Sequence, residues 1–259
     1  MTTSLSLRAM GFCGADDSVH PKLLQTLSLH YPWIEWGVLF RPDLEGSPRY
    51  ATSSWVHQLA ACARATPMKL AGHLCGSRCQ AILGGDASFV EELYALGFHR
   101  VQVNATAANR VLVEAGRMDE YGANIRRCMA RVPQVEWIIQ CNTETKAIWE
   151  PLVAAPPANM SLLFDASCGL GVPMTDFPKP LSNIPCGYAG GIGPNNIRSM
   201  LERVQAASGG APVWIDMESS LRLKALETPE CVTDVFSIEK CFVCADIGVT
   251  AFGLALEHM

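Results

Sequence analysis

Residues 186–197, CGYAGGIGPNNI, join a short apolar run to a glycine-rich turn and then to the start of an amphipathic stretch. This order is typical of a β-strand, a tight turn and an α-helix in a parallel sheet. Glycines let the backbone approach an anion closely, and the free N–H groups of a helix N-terminus favour negative charge. The stretch therefore predicts an α/β fold and a phosphate site at Gly190 and Gly191. A glycine-rich turn without a ligand is the alternative.

The same alternation of a short apolar run and a longer amphipathic segment recurs along the whole chain. Its repetition is typical of a (β/α)8 TIM barrel, which usually has roughly 250 residues; this chain has 259. The predicted strands are Leu7–Phe12, Ile34–Phe40, Lys69–Leu74, Arg100–Val103, Glu136–Gln140, Ser161–Asp165, Cys186–Ala189 and Val213–Met217. No linker or low-complexity segment interrupts the series, so residues 1–259 are predicted to form a single domain.

Amphipathic spacing predicts helices between these strands. Three of them are Ser53–Ala65, with Ser53 or Ser54 as the N-cap, Asp86–Leu96 and Asn195–Ala207. The proline-rich piece Pro151–Pro157 is interpreted as a connection from helix to strand. The apolar tail Phe236–Leu256 is predicted to be a helix that closes the barrel.

The charge pattern argues against several classes of partner. Charged residues make up 17% of the chain and the net charge is −5, so we expect neither a nucleic-acid partner nor a membrane surface. No stretch approaches the ~18 consecutive apolar residues of a membrane span. The first ten residues lack a basic segment followed by an apolar block, so we expect no signal peptide and a cytoplasmic location.

Eleven cysteines are scattered through the predicted strands and helices. In a chain of this length, an odd and scattered set indicates reduced thiols, not a disulfide framework. Cys241 and Cys244 form a CxxC pair, but no second pair stands at zinc-like spacing. We interpret them, like Cys75 and Cys79, as buried structural thiols.

Polar side chains follow nearly every predicted strand, at the end where barrels of this kind place their active sites. Taken singly, a cysteine there is ordinarily packing, an Asn or Asp is a turn former and a histidine is a satisfied core residue. Taken together, they predict a ligand-binding mouth. The candidate residues are Cys13, Arg49, His73, Gln102, Asn104, Gln140, Asp165, Asp216 and Glu218. Ser219 and Ser220 would complete the phosphate site opposite Gly190 and Gly191.

Several segments resemble phosphoribosylanthranilate isomerases, in that family's order and over the whole chain. They are Met10–Gly14, Gly37–Phe40, Ser47–Tyr50, Leu162–Asp165 with Gly169 and Gly171, Ala189–Asn196 and Trp214–Ser220. The resemblance implies an Amadori rearrangement of an N-aryl aminoaldose phosphate to an aminoketose. Asp165 would protonate the ring oxygen as general acid, and Cys13 would remove the C2 proton as general base. Arg49 would bind the aromatic carboxylate, because a guanidinium pairs well with it.

That division of roles requires neighbours that lower the pKa of Cys13, since only the thiolate can act as the base. It implies no cofactor and no metal. The expected partner is a small phosphorylated metabolite, and the expected assembly is a monomer or a homodimer. His73, Gln102, Asn104, Gln140, Asp216 and Glu218 would contact the substrate.

The chain also departs from the family. Glu218 stands where the family wraps its phosphate, and His73 has no counterpart there. A second hypothesis is therefore a metal-assisted sugar-phosphate enzyme with ligands drawn from His73, Asp165, Asp216 and Glu218. A third is a metabolite binder without turnover. The predicted sixth strand carries no lysine, which argues against a Schiff-base aldolase.

Overall fold

The computed structural model describes residues 5–172, 174, 176–228 and 231–254. Eight parallel strands close into a barrel in chain order, with β8 paired to β1, which confirms the predicted TIM-barrel fold. The strands are β1 (Leu7–Cys13), β2 (Ile34–Phe40), β3 (Lys69–Leu74), β4 (Arg100–Val103), β5 (Glu136–Cys141), β6 (Met160–Phe164), β7 (Cys186–Tyr188) and β8 (Val213–Met217). They agree with the predicted strands to within one residue at each end.

Helices surround the barrel and bury one face against it. They are α1 (Pro21–His30), α2 (Ser53–Ala65), α3 (Gly76–Leu83), α4 (Ser88–Ala95), α5 (Met118–Arg131), α6 (Lys146–Ala154), α7 (Ile197–Ser208) and α8 (Ile238–Phe252). Short 3-10 helices cover Pro42–Leu44, Ala107–Asn109, Ala115–Arg117 and Ser219–Leu221. No helix lies between β6 and β7 in the described residues, so the strand-and-helix rhythm is incomplete there. No described helix combines the length and the apolar character needed to span a bilayer.

The N-cap of α2 and the extent of α6 differ from the predictions. The N-cap of α2 is Thr52, whose Oγ1 accepts a hydrogen bond from the Trp55 backbone N at 3.2 Å, instead of Ser53 or Ser54. Pro151 lies inside α6, so the predicted connection is partly helical. Burial of Ile148 and Leu152 on the inner face of α6 outweighs the helix bond that the proline removes.

An antiparallel hairpin, which the sequence pattern did not predict, precedes the last helix. Its strands are β9 (Arg222–Thr228) and β10 (Cys231–Phe236), so the predicted helical tail begins at Ile238 and not at Phe236. The last residues of that predicted tail, 255–256, lie outside the described residues. Arg222 fastens the hairpin to the barrel, because its buried guanidinium donates to the Gly14 carbonyl at 2.8 Å and to Asp16 Oδ2 at 2.7 Å.

Side chains fill the barrel interior from its amino-terminal end. A small apolar cluster comprises Ala9, Ile138, Leu163, Ala189 and Trp214. Among the charged groups, Arg100 Nη1 donates to Glu35 Oε1 at 2.6 Å, and the guanidinium lies 4.3 Å from the centroid of the Trp214 ring. Paired charges and apolar groups thus close this end, and the opposite end remains for a site.

The ten cysteines whose side chains are described are all free. Cys241 and Cys244 are fully buried on the inner face of α8, together with Ala245. Their surroundings are those of packing residues, as the sequence indicated.

Candidate active site

A cavity of about 310 Å³ lies at the carboxyl ends of the strands. All the predicted site residues line it except Arg49: Cys13, His73, Gln102, Asn104, Gln140, Asp165, Gly190, Gly191, Asp216, Glu218, Ser219 and Ser220. Side chains alternate between the two faces of a strand, so residues two apart on each strand face the same interior. This periodicity is why residues from the ends of seven different strands meet in one space.

Cys13, His73 and Asp216 form a compact group at the inner end of the cavity. Cys13 Sγ lies 3.7 Å from His73 Nε2, and one ligand-type atom from each of the three residues lies within 4.8 Å of the others. All three side chains are buried. The register supports the grouping, because Cys13 pairs with Gly37 across β1 and β2, and Asp216 pairs with Gly11 across β8 and β1.

Burial controls the protonation of this group. It raises the pKa of the Cys13 thiol well above its usual value, and the nearby Asp216 carboxylate raises it further. Burial, with a contribution from Arg100, lowers the pKa of His73 to about 3. At neutral pH the pair is therefore a thiol beside a neutral imidazole. The condition that neighbours lower the Cys13 pKa is therefore not met, because burial disfavours the thiolate and the Asp216 carboxylate disfavours it further.

The Asp216 carboxylate lacks the partners that a buried charge needs. Neither oxygen makes a hydrogen bond to the described residues, and the indole N–H of Trp214 approaches without reaching hydrogen-bond geometry. Burial, helped by the Glu35 carboxylate, raises the pKa of Asp216 to about 7. Two amide oxygens in the same cavity, Gln102 Oε1 and Gln140 Oε1, are also unpaired.

Asp165 has the opposite environment, although it lines the same cavity. One oxygen accepts from the Ser167 backbone N at 3.1 Å and from its hydroxyl at 2.5 Å. The other accepts from Gln140 Nε2 at 2.7 Å and from the Gly169 backbone N at 3.0 Å. Four donors thus hold the side chain in one orientation at the end of β6.

Arg49 stands at the rim and not in the cavity lining. Its Nη1 donates to Glu218 Oε1 at 2.9 Å and lies 3.4 Å from Ser219 Oγ. Arg49 has a φ of 79°, and its backbone N donates to Asp16 Oδ2 at 2.6 Å, which holds this unusual backbone conformation. A substrate carboxylate would therefore have to compete with Glu218 for the guanidinium.

The glycine-rich loop after β7 has the form expected of an anion site. Gly190 and Gly191 adopt φ values of 104° and 60°, which only glycine adopts without strain. Their backbone N–H groups make no hydrogen bond within the described part of the chain. The Asn196 side chain braces the loop by accepting from the Gly193 N and donating to the Gly191 O, both at 2.9 Å.

Ser220 contributes less to this loop than predicted. Its hydroxyl donates to the Ile192 carbonyl at 2.5 Å, so the proton is not free for a ligand. Ser219 Oγ and the backbone N–H groups remain as donors on this side of the cavity.

Several lining residues were outside the predicted set. They are Asn109, Leu163, Ser167, Gly169, Gly171, Ala189, Ile192 and Met217. Ser167 and the two glycines belong to the loop after the sixth strand, whose glycine content was a usable signal. Asn109 lies in a 3-10 helix five residues beyond the last predicted polar position after β4, and no local pattern marks it.

Comparison with solved structures gives relatives of the fold. The chain is similar to phosphoribosylanthranilate isomerase from Thermotoga maritima, with 13% identity, a TM-score of 0.53, and coverage of 93% of this chain and 97% of that one. It is also similar to D-psicose 3-epimerase from Clostridium cellulolyticum H10, with 13% identity, 86% and 87% coverage, and a TM-score of 0.49. No protein-family model and no curated protein sequence matches the chain. At these identities the likeness shows a TIM barrel and does not identify a reaction.

Proposed function

We propose that this chain isomerises a small phosphorylated sugar derivative by proton transfer, in the manner of an aldose–ketose rearrangement. One observation carries the proposal. A single cavity is lined both by the glycine-rich loop after β7 and by buried thiol, imidazole and carboxylate groups. Such a cavity anchors a phosphate at one end of a short sugar and moves protons at the other end.

The anion end is argued from the loop geometry. Within the described residues the N–H groups of Gly190 and Gly191 make no hydrogen bond. The loop leads within a few residues into α7, whose N-terminus carries partial positive charge. Glu218 would repel a phosphate, but its ion pair with Arg49 offsets that charge. The pair leaves the loop side open to an anion.

The proton-transfer end is assigned from the resemblance and the placement of two residues. Asp165 and Cys13 lie at the ends of β6 and β1 and line the same cavity. In the family mechanism Asp165 is the acid and Cys13 the base. His73 is the neighbour positioned to accept the proton of the Cys13 thiol, since Nε2 lies 3.7 Å from Sγ.

The test is turnover of phosphoribosylanthranilate and of related aminoaldose phosphates by four variants. Cys13→Ser and Asp165→Asn should each lose about 10²–10⁴-fold in turnover while keeping the fold, because acid and base groups contribute that much. The matched controls are Cys241→Ala and Cys244→Ala. These buried thiols of α8 should keep turnover and lose roughly 1–3 kcal/mol of stability.

The outcomes separate the hypotheses. If Cys13→Ser and Asp165→Asn both kept full activity, the assignment of Asp165 as acid and Cys13 as base would be wrong. A wild-type chain that binds these phosphates without converting them would be a metabolite binder.

The cluster of Cys13, His73 and Asp216 favours a second candidate, which is a metal-assisted enzyme acting on the same class of substrate. In that version Cys13 is a ligand, so proton transfer falls to other groups of the cavity. Sensitivity of turnover to a chelator distinguishes it from the first.

A further inference from the structure

We infer that Cys13, His73 and Asp216 bind one divalent transition-metal ion of the zinc type at the inner end of the cavity. The inference rests on where three side chains from β1, β3 and β8 meet. It concerns ion binding, so it does not depend on the substrate proposed above. It takes Cys13 as a ligand and therefore rests on the second candidate function, not on Cys13 as the general base.

The interatomic distances fit such an ion. Tetrahedral zinc with ordinary bonds to sulfur and nitrogen places those two ligand atoms about 3.6 Å apart. Cys13 Sγ and His73 Nε2 lie 3.7 Å apart. An Asp216 oxygen completes a set in which all the ligand atoms lie within 4.8 Å, so a small side-chain adjustment closes the site.

The unpaired Asp216 carboxylate is a second, independent observation. Asp216 exposes only 6% of its surface, yet neither carboxylate oxygen has a hydrogen-bond partner in the described chain. A buried carboxylate without a partner is costly, whereas coordination to a cation satisfies it. Arg100 is already engaged by Glu35 and Glu136 and does not bond to it.

Two glycines keep the space in which the three side chains meet. A Cβ on Gly37 would approach Cys13 Sγ at 2.6 Å and His73 Nε2 at 2.9 Å. A Cβ on Gly11 would collide with Asp216 Oδ1. β1 and β2 therefore each carry a glycine at the position where any side chain would fill the space of the group.

The charge of the cavity also calls for a cation. Its described lining includes the carboxylates of Asp165, Asp216 and Glu218 but no lysine or arginine, and of the three only Glu218 is paired with a cation, Arg49 at the rim. A phosphorylated ligand would add further negative charge. One divalent ion at the inner end would offset both.

The ligand types identify the ion class and exclude the other acidic residues. Thiolate and imidazole ligands suit zinc or cobalt, in contrast to the all-oxygen sets preferred by magnesium and calcium. Asp165 already accepts four hydrogen bonds, and Glu218 is held by Arg49. Three protein ligands beside an open cavity leave a fourth position for water or substrate, as in catalytic zinc sites.

Binding would release a proton. The Cys13 sulfur exchanges its hydrogen for the metal, and the proton leaves to solvent.

The experiment is a Co²⁺ titration of the full-length chain after removal of metals with a chelator. Co²⁺ bound to a thiolate gives a near-ultraviolet charge-transfer band, which reports the sulfur ligand directly. We expect the band to saturate at one equivalent and to disappear when Zn²⁺ is added. Cys13→Ser should lose the band. His73→Gln and Asp216→Asn should weaken Co²⁺ binding by at least ~100-fold, because even the loss of a residue that only hydrogen-bonds to a metal ligand costs 10–100-fold.

Cys141→Ala is the matched control, because Cys141 is buried at the end of β5 but does not line the cavity. It should keep the band, and circular dichroism should show that every variant retains its fold. A wild-type chain that gives no thiolate band, or a Cys13→Ser chain that gives the same band as wild type, would overturn the inference. A chain that binds Co²⁺ but does not act on aminoaldose phosphates would refute only the proposed reaction.

Discussion

The two ends of the barrel both bury charged side chains, but they treat them differently. At the amino-terminal end, Arg100 bonds to Glu35 at 2.6 Å and to Glu136 at 3.2 Å, and Arg8 also bonds to Glu136. At the carboxyl-terminal end, the Asp216 carboxylate has no partner in the described residues.

This contrast distinguishes charged groups that stabilise the fold from a charged group that is placed for a ligand. Removing a charge from water costs several kcal/mol per ion, and a partner in good geometry is needed to recover that cost. The amino-terminal end meets this condition through the ion pairs of Arg100, although Arg100 Nε has no hydrogen-bond partner in the described residues, and this end acts as a plug. The carboxyl-terminal end does not meet it at Asp216, and an unrecovered cost of this kind is typical of a site built for a ligand.

The largest effect is expected at the plug. Arg100→Leu leaves Glu35 buried without its cation, and the free energy of unfolding should fall by about 3–5 kcal/mol. Urea unfolding measures this loss. The matched control is Arg131→Leu, whose partner Glu91 is solvent-exposed, and it should cost at most ~1 kcal/mol. Equal losses in the two variants would show that the plug is no stronger than a surface pair.

Much of the fold could be predicted from local sequence. The eight strands are continuous apolar runs because both faces of a parallel barrel are covered, and such runs are easy to recognise. The hairpin of β9 and β10 was missed because its anchor is non-local: Arg222 bonds to Asp16, more than two hundred positions away in sequence. The charged plug was missed for the same reason, since no pattern shows that Glu35 and Arg100 meet.

The sequence predicts which residues line the cavity, but it does not predict how buried each side chain is or which charges lie beside it. Strand ends identify Cys13, His73 and Asp216, because the fold brings all strand ends to one mouth. Their protonation depends on burial and on which charges lie nearby, and neither is written in local sequence. The base role of Cys13 requires a lowered pKa, whereas its burial raises that pKa. The pairing of Arg49 with Glu218 likewise depends on a contact that local sequence does not reveal.

Asp16 is a carboxylate near the mouth that, unlike Asp216, has hydrogen-bond partners. Its replacement therefore tests whether the partners of a carboxylate or its position in the barrel decide its effect on stability. Asp16 accepts from Ser18, from the Arg49 backbone and from Arg222. Burial opposes its ionisation, but these bonds outweigh burial and hold the pKa of Asp16 below 3.8. Asp16→Asn should therefore cost about 2 kcal/mol at pH 7.

The pH dependence follows from the sign of that shift. A carboxyl group whose pKa is lower in the folded chain stabilises it above the unfolded value of 3.8 and loses this effect as the pH falls through the folded value. The difference in unfolding free energy between wild type and Asp16→Asn should thus be constant from pH 7 to about 5 and shrink below about 4. Urea unfolding across this range measures it. A difference that stays constant to pH 3 would contradict the assigned role.

The smallest effect is expected at Asp216, and its direction should be opposite to that at Arg100. Asn has nearly the same shape as Asp but carries no charge, so Asp216→Asn removes a desolvated carboxylate without creating a cavity. In the metal-free chain this change should raise the free energy of unfolding by about 0.5–2 kcal/mol, the usual gain when a functional strain is relieved. Zn²⁺ should reverse the order of the two proteins. An ion at 100 times its dissociation constant stabilises the chain that binds it by about 2.7 kcal/mol, and the variant would not share that gain. Thermal unfolding measures this reversal. Asp216→Asn should have the higher melting temperature with chelator, and the wild type should have the higher one with Zn²⁺. If Asp216→Asn instead destabilises the metal-free chain by more than ~1 kcal/mol, the carboxylate supports the fold, and the two ends of the barrel do not differ in the way described.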